Sequence, residues 1–329
     1  MVLILSAEDD VSTTKVINWL DYLGEKWVRI NGTDPIKISK ISIGNSTKPE
    51  IIIENKKGEM INLSSIKAYW YRRVDFTFDI YTRLITLNEP GLKNQIVTHC
   101  NSELNYLRNA LHAILSTIPS INDRRLADLN KYDVLLKAQL VNLKIPETLI
   151  TSTKKDYLKF KQKHKSVISK AIQNGARFTI KDEMEDIVFL CYTELFNKEE
   201  EIPDSFFPTL FQNALDKLYE IRVFYLNKKC YSMVIFSQNT EGTKTDFRNY
   251  NLSKPNRKMR YALPKEIENK IGKLMDSLNL NCGSIDIIYT TKKEYVFLEV
   301  NPVGQFGMVS TPCNYALEKQ IAKTLIYHD

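Results

Sequence analysis

Histidine and cysteine are scarce in this sequence, and their spacing argues against a site built from either residue. The four histidines show none of the short spacings that metal ligands use. The five cysteines are odd in number and include no CxxC pair, which argues against both a disulfide framework and a zinc site. We therefore expect no catalytic centre based on histidine and no metal bound by cysteine.

Long apolar runs are missing as well. The first run, from Val2 to Leu5, is too short for the hydrophobic region of a signal peptide and is followed at once by Glu8, Asp9 and Asp10. No later run approaches the roughly 20 apolar residues that cross a bilayer. The sequence therefore predicts a cytoplasmic protein without a membrane partner.

The charge balance is basic. Lysine and arginine outnumber aspartate and glutamate by 46 to 39, which gives a formal net charge of +7. This excess favours an acidic partner, and nucleic acid, anionic membrane, nucleotide and acidic peptide all satisfy it. No segment interleaves aromatic and basic residues as a platform for single-stranded nucleic acid does. With 329 residues, 43% of them hydrophobic, the chain is expected to fold into two or three small domains.

The first third of the chain carries alternating strand and helix signals. Ser12 is the predicted N-cap of the first helix and Gly24 its predicted stop. Arg72 and Arg73 end a strand, and we expect them to be solvated there. The pattern predicts a small α/β domain with strands at 2–6, 27–31 and 68–73, a hairpin at 50–65 and a helix at 13–23.

A long helix at 92–117 follows, and Pro119 ends it. The polar stretch 120–130 then marks a predicted domain boundary. The elements predicted beyond it are a helix that opens at Lys131, strands at 144–151, 166–170 and 187–195, a hairpin within 208–236, and helices at 265–278 and 315–327.

The stretch from Cys282 to Gly307 is the most informative part of the sequence. Its β-branched and aromatic residues predict two strands, 284–290 and 295–300, joined at the polar TKKE. A turn centred between Lys292 and Lys293 would place Asp286 directly opposite Glu299. Opposed residues have Cβ atoms roughly 5 Å apart, and like charges placed there are destabilising unless something neutralises them.

A divalent cation would neutralise this pair. Asn301 points to the same face as Glu299 because side chains alternate along a strand, and hard cations such as Mg²⁺ take such all-oxygen ligands. The alternative is an ordinary edge hairpin with solvated acids. The other face of the hairpin is predicted to be buried through Ile285, Ile287, Val296, Leu298 and Val300.

These residues also carry a family resemblance. The aspartate, the twelve residues after it and the sequence E-V-N-P resemble the metal-binding end of the ATP-grasp superfamily. The continuation VGQFGMVSTPCNYALEKQIA resembles the microviridin-type (graspetide) peptide-modifying ligases, especially the grasp-with-spasm group. The opening strand, the helix D-x-S-T-x-x-V-I-x-W-L and the strand W-Y-R-R resemble the pre-ATP-grasp domain of these ligases.

The resemblance implies an α/β (α+β) protein with the ATP-grasp fold. Its expected parts are an N-terminal pre-ATP-grasp domain at 1–122, a central domain at 123–210 and a C-terminal ATP-grasp domain at 211–329. It also implies that ATP is bound with Mg²⁺, as two ions held by Asp286, Glu299 and Asn301.

Further ATP-binding residues follow from the same resemblance. Lys131 and Lys170 would bind the phosphates, although Lys131 can equally be a surface lysine. Phe211 to Leu215 resembles the hinge that receives adenine, and Asn213 stands where glutamate is more usual. Glu220 would bind the ribose. The residues implied are Lys131, Lys170, Gln212, Asn213, Leu215 and Glu220.

Two arginines are implied as catalytic. Arg222 follows Glu220 by two residues on the same face of its strand, although the alternative is an amphipathic hairpin that exposes both. T-D-F-R-N resembles the D-W-R motif of the ligases, with phenylalanine in place of tryptophan, and contains Arg248. Both would stabilise an acyl phosphate.

The implied activity is ring closure in an acidic precursor peptide made of leader and core. Phosphorylation of an Asp or Glu side chain would activate it for attack by Thr, Ser or Lys, with release of ADP and phosphate. One alternative is an ATP-grasp ligase that joins separate molecules, and a more distant one is a basic module that binds nucleic acid. Ester or amide linkage and homodimer formation are left open.

Overall fold

The computed structural model describes residues 1–45, 47–78, 89–173, 175, 177–180, 187–190, 194–196, 202–236 and 256–328. Helices and strands are mixed along these residues, so the predicted α/β (α+β) class is confirmed. The implied catalytic residue Arg248 lies outside the described residues.

The N-terminal region is organised around a parallel sheet. Its strand order is β2-β1-β6-β7, and the central β1 is buried at every position, which explains its continuous apolar sequence. The elements of this region are β1 (Val2–Ser6), α1 (Val11–Tyr22), β2 (Trp27–Asn31), β3 (Lys37–Gly44), β4 (Thr47–Glu54), β5 (Met60–Asn62), β6 (Ala68–Tyr71), α2 (Pro90–Leu115) and β7 (Ser120–Ile121).

Helix α1 begins earlier than predicted. Asp10 is its N-cap, since its carboxylate accepts the backbone N–H groups of Ser12 at 3.0 Å and Thr13 at 3.3 Å. The prediction of Ser12 as the cap is therefore wrong. Gly24 follows the helix with φ of +75°, as expected for a residue that stops a helix.

A second, antiparallel sheet of β3, β4 and β5 packs beside the first. It contains the predicted hairpin at 50–65, whereas β3 was not predicted because lysine and serine interrupt its isoleucines and most of its side chains are exposed. Helix α2 runs for 26 residues. None of the helices in the described ranges is both long and apolar enough to cross a membrane.

The central region contains a four-stranded sheet with the order β12-β9-β13-β8 and a separate antiparallel sheet of β10 and β11. Tyr157, Val167, Ile202 and Phe211 form its small core. Its elements are α3 (Lys131–Leu140), β8 (Thr148–Thr153), α4 (Lys154–Lys163), β9 (Val167–Lys170), β10 (Arg177–Ile180), β11 (Ile187–Leu190), β12 (Glu194–Leu195) and β13 (Ser205–Asn213).

The C-terminal region is built on a five-stranded antiparallel sheet with the order β16-β15-β14-β17-β18. The last helix starts two residues later than predicted, and a short helix before it was not predicted. The elements are β14 (Lys217–Leu226), β15 (Lys229–Phe236), β16 (Arg257–Tyr261), α5 (Lys265–Ser277), β17 (Cys282–Thr290), β18 (Tyr295–Asn301), α6 (Gly307–Cys313) and α7 (Leu317–Tyr327).

Both faces of this sheet are covered. Ile221 and Val223 of β14 pack with residues of α3 and α5 on one face. Phe224 and Leu226 of the same strand pack on the other face with α6, α7 and the N-terminal strand β1. The N-terminal and C-terminal regions therefore share one hydrophobic core.

Arg72 and Arg73 follow β6 in different surroundings. Arg73 has 43% of its side chain exposed, in line with a solvated strand end. Arg72 is only 2% exposed, and its Nε lies 3.1 Å from Oδ2 of Asp10. The prediction of a solvated position is wrong for Arg72, because Asp10 and the chain that follows β18 cover it.

A polar network that runs from the buried Tyr69 and His112 to the surface supports the N-terminal region. His112 Nδ1 lies 3.0 Å from the Tyr69 hydroxyl, and His112 Nε2 lies 2.5 Å from Oδ1 of Asp75. Arg124 Nε donates to Asp75 Oδ2 at 2.7 Å. Burial alone would raise the pKa of Asp75, but the hydrogen bonds from His112 and Arg124 bring it below its usual value.

We predict that the stability lost in Asp75→Asn is largest above about pH 5 and shrinks as the pH falls below 3.8. A lowered pKa in the folded state stabilises the fold above the unfolded value of 3.8 and is lost as pH falls through the folded value. Melting temperatures of the wild type and Asp75→Asn across this range would test the prediction. Asp133→Asn, at a side chain 53% exposed, is the control. A difference between wild type and Asp75→Asn that persists undiminished to pH 3 would contradict it.

Ile321→Ala should destabilise the protein by about 2–5 kcal/mol, since Ile321 of α7 lies in the shared core and is 1% exposed. Ile43→Ala, at a position 72% exposed on β3, should change stability by about 0.5 kcal/mol or less. Urea unfolding of both variants checks the comparison. Equal losses would mean that α7 does not join the two regions.

Candidate active site

The hairpin of β17 and β18 brings the two predicted carboxylates together. Asp286 is the direct cross-strand partner of Glu299, as predicted. The turn itself differs from the prediction, because Tyr289 pairs with Tyr295 and the turn is therefore centred on Lys292. A β-bulge at Leu298 adds one residue to β18 and restores the predicted pairing at the carboxylates.

Asn301 ends β18 opposite Ser284, and its position two residues after Glu299 places it on the same face. Its side-chain Oδ1 accepts the backbone N–H of Val303 at 3.0 Å. The core on the other face contains three of the five predicted positions, Ile285, Ile287 and Val300. The bulge leaves Leu298 half-buried and shifts the alternation before it, so Val296 is buried but pairs with Ile288 on the carboxylate face, and Phe297 takes its place in the core.

Arg222 neutralises the first carboxylate. It lies directly opposite Asp286 on the neighbouring strand β14. Its Nε donates to Oδ1 of Asp286 at 2.6 Å and its Nη2 to Oδ2 at 2.7 Å, a bidentate pair between side chains that are 13% and 16% exposed. This places the Arg222 guanidinium beside the carboxylate pair.

Lys131 approaches the second carboxylate. Helix α3 begins at Lys131 because the Asn130 side chain accepts the N–H groups of Tyr132 and Asp133. The Lys131 ammonium then lies 3.7 Å from Oε2 of Glu299, with both side chains about one-third exposed. Each carboxylate thus has its own cation, which offsets their mutual repulsion.

The donor set fits a magnesium ion. Asp286, Glu299 and Asn301 present carboxylate and amide oxygens from one face of the hairpin. A carboxylate has about four lone-pair positions, so the two bonds from Arg222 leave Asp286 acceptor capacity for a cation.

The same face continues across the sheet. The residues directly opposite one another on its five strands are Arg260, Met233, Arg222, Asp286 and Glu299, in that order. In the neighbouring row Lys258 aligns with Ile235 and Glu220. In the row through Arg222, positive charge therefore lies on β14 and β16 and negative charge lies on β17 and β18, while Glu220 adds a carboxylate to β14 in the neighbouring row.

Arg260 and Lys258 were not among the predicted site residues. The sequence signal was the basic run NRKMR. Which of its side chains share a face with Arg222 depends on how β16 pairs with β15, and the sequence does not show this pairing. The Arg260 guanidinium carbon lies 4.5 Å from the centroid of the Tyr315 ring, and the Tyr315 hydroxyl donates to the Ser232 carbonyl at 2.8 Å.

Glu220 has a partner that sequence reasoning missed. The Lys217 ammonium forms an ion pair with its carboxylate, and both residues are less than 10% exposed. Lys217 starts β14, where a register shift against β17 separates it from Tyr219. Glu220 lies on the same face of β14 as Arg222.

The predicted hinge connects the central and C-terminal sheets. Gln212 is buried and donates through Nε2 to Thr148 Oγ1 at 3.0 Å. The Asn213 Oδ1 accepts the backbone N–H of Glu147 at 2.8 Å. Leu215 is half-buried between β13 and β14. Lys170 ends β9 opposite Leu210 of β13, on the central sheet.

Comparison with known proteins identifies the fold. Residues 1–123 match the family model of the MvdD pre-ATP grasp domain. A RiPP-associated ATP-grasp ligase from Chryseobacterium gregarium, solved with ADP and a leader and core peptide, superposes with a TM-score of 0.81 at 25% identity, covering 100% of this chain and 97% of that chain. The chain has the ATP-grasp ligase fold.

Two further ATP-grasp structures are similar over the whole chain. The macrocyclase MdnC from Microcystis aeruginosa, bound with its precursor peptide MdnA, has a TM-score of 0.74 at 23% identity and 100% coverage of both chains. The ligase PsnB, complexed with a minimal precursor, Mg and ADP, has a TM-score of 0.71 at 16% identity, covering 99% and 97%. No curated protein sequence matches the chain. The resemblance to ATP-grasp peptide-modifying ligases is confirmed.

We predict a coupling energy of about 1–3 kcal/mol between Arg222 and Asp286, because the pair is bidentate and mostly buried. A double-mutant cycle with Arg222→Met and Asp286→Asn, followed by urea unfolding, measures it. The pair Lys270 and Glu266, in which the Glu266 side chain is 76% exposed, is the control and should show coupling near zero. Equal couplings in the two cycles would contradict the prediction.

Proposed function

We propose that this chain is an ATP-dependent ligase that closes rings in a ribosomally made precursor peptide. The observation that carries the proposal is the opposed pair Asp286 and Glu299, flanked by Arg222 and Lys131. Support comes from the similar ligases solved with precursor peptide, ADP and Mg.

Charge neutralisation and positioning are what phosphoryl transfer requires of a protein. ATP would supply the phosphoryl group that turns a carboxylate into a species with a leaving group, and Mg²⁺ would offset the phosphate charge. Asp286, Glu299 and Asn301 would hold the metal. The proposed nucleotide contacts are Lys131 and Lys170 at the phosphates, Gln212, Asn213 and Leu215 at the base, and Glu220 at the ribose.

Arg222 is the proposed partner of the activated carboxylate. Its bonds to Asp286, at 2.6 and 2.7 Å, fix the guanidinium directly beside one of the proposed metal ligands. We propose that Arg222, together with Arg248, stabilises the acyl phosphate on an Asp or Glu side chain of the peptide. A hydroxyl of Thr or Ser or the amine of Lys then attacks, the ester or amide bond forms, and phosphate leaves.

The substrate is proposed to be acidic. Lys258 and Arg260 extend the positive charge of this face by two strands beyond Arg222, where further carboxylates of a peptide would find cations. The proposed domains are 1–122, 123–210 and 211–329, and the first is nearly the range 1–123 that matches the pre-ATP grasp family.

The decisive experiment is the mass of an acidic precursor peptide after incubation with the protein, ATP and Mg²⁺. We take the peptide from a reading frame beside the gene and expect the loss of one water for each ring closed. Glu299→Gln should abolish most of this loss, because the metal would lack one carboxylate. Glu266→Gln, which removes a carboxylate on the exposed side of α5, is the matched control and should behave as wild type.

Other outcomes have definite meanings. A gain in peptide mass when free amino acids are present would favour a ligase that joins separate molecules. Full turnover by Glu299→Gln would refute the metal assignment. An unchanged peptide, with Mg-ATP binding demonstrated, would mean that the substrate class is wrong.

A further inference from the structure

The chain segment 302–306, directly after the candidate metal strand, is held by side chains of the N-terminal region. The Asn122 amide donates to the carbonyl of Pro302. Arg72 Nη1 donates to the carbonyl of Val303 at 2.6 Å and lies 3.3 Å from that of Gly304. Three successive backbone carbonyls are thus bound by two side chains from far away in the sequence.

Burial of the charged Arg72 side chain costs desolvation free energy. Arg72 is 2% exposed, its Nε lies 3.1 Å from Asp10 Oδ2, and its guanidinium carbon lies 5.3 Å from the centroid of the Phe306 ring. Burying a charged pair does not by itself stabilise a protein more than apolar residues of the same size would. A buried arginine aimed at particular carbonyls therefore points to a positioning role.

The segment is also fixed from its other side. Ser284 Oγ donates to the carbonyl of Gln305 at 3.0 Å. A Cβ on Gly304 would lie 2.2 Å from Ser284 Oγ and 2.6 Å from Ser284 N, so only glycine fits there. Ser284 stands two residues before Asp286 on β17, which puts this contact next to the carboxylate pair.

Val303 connects the segment to Asn301. Its N–H donates to Asn301 Oδ1 at 3.0 Å, while its carbonyl accepts from Arg72. The N–H of Gly304 donates to the Asn301 carbonyl at 3.1 Å. The direction of the Asn301 amide is therefore tied, through one residue, to the position of Arg72.

We propose that Arg72, assisted by Asn122, is a positioning residue that orients Asn301 beside Glu299 for a metal ion. The N-terminal region then completes the metal site without contributing a ligand to it. This inference rests on the proposed function, because it assumes that the hairpin binds Mg²⁺ together with a nucleotide.

The test is the affinity for ADP, measured by calorimetry in EDTA and at a series of Mg²⁺ concentrations. The Mg²⁺ midpoint is the Mg²⁺ concentration at which half of the change in ADP affinity has occurred. Arg72→Met should raise this midpoint at least ten-fold, because removal of groups that orient metal ligands weakens metal binding by about 10- to 100-fold. Its ADP affinity in EDTA should stay within about two-fold of wild type, since Arg72 binds Asp10 and the carbonyls of Val303 and Gly304, none of which is a proposed nucleotide contact. Arg73→Met is the matched control and should leave the Mg²⁺ midpoint unchanged.

A second variant keeps the test decisive if Arg72→Met fails to fold. Asn122 has φ of +58°, so Asn122→Gly preserves its backbone and removes only the amide that binds Pro302. It should also raise the Mg²⁺ midpoint and speed amide hydrogen exchange in the segment 302–306. A lower melting temperature with an unchanged Mg²⁺ midpoint in either folded variant would show a packing role and overturn the inference alone. A wild-type ADP affinity that does not respond to Mg²⁺ would overturn the proposed function with it.

Discussion

The opposition of Asp286 and Glu299 across one pair of strands is the constraint on which the candidate site depends. Two carboxylates on opposed residues, whose Cβ atoms lie about 5 Å apart, repel each other, and a cation beside each one offsets this repulsion. Arg222 reaches Asp286 from the neighbouring strand, and Lys131 reaches Glu299 from the start of a helix. The arrangement suits a metal because each carboxylate is held in place yet keeps unshared lone pairs.

The surrounding architecture makes this arrangement rigid. One face of the five-stranded sheet is buried under α3 and α5, so the hairpin cannot slip by one residue without moving its acids into a hydrophobic core. The other face shares a core with the N-terminal sheet. The segment after the hairpin is bound from that side by Arg72 and Asn122. Both ends of the chain therefore contribute to the geometry of a site whose predicted metal ligands lie within 16 residues.

Local signals in the sequence were sufficient for much of the fold. The hairpin, the long helix α2 and the helix that opens at Lys131 follow from residue periodicity and turn chemistry. The pairing of Asp286 with Glu299 was predicted from a turn one position away from the real one, and the bulge at Leu298 compensated for the difference. A bulge depends on how both strands pack, so no local sequence pattern predicted it. Helix α6 carries a proline and too few residues to show a period.

The sequence by itself determined most of the helices and strands, the hairpin that carries both carboxylates and the family of folds, because these depend on contacts between residues close in the chain or on whole motifs. Only the tertiary structure decided which cations meet those carboxylates and which residues are buried with charge. In the sequence, Lys217 and Arg72 look like ordinary surface residues. The structure shows that Lys217 is buried beside Glu220 and that Arg72 is buried beside Asp10. Arg72 and Val303 are 231 positions apart, and a contact over that distance arises only when two separate regions share a core.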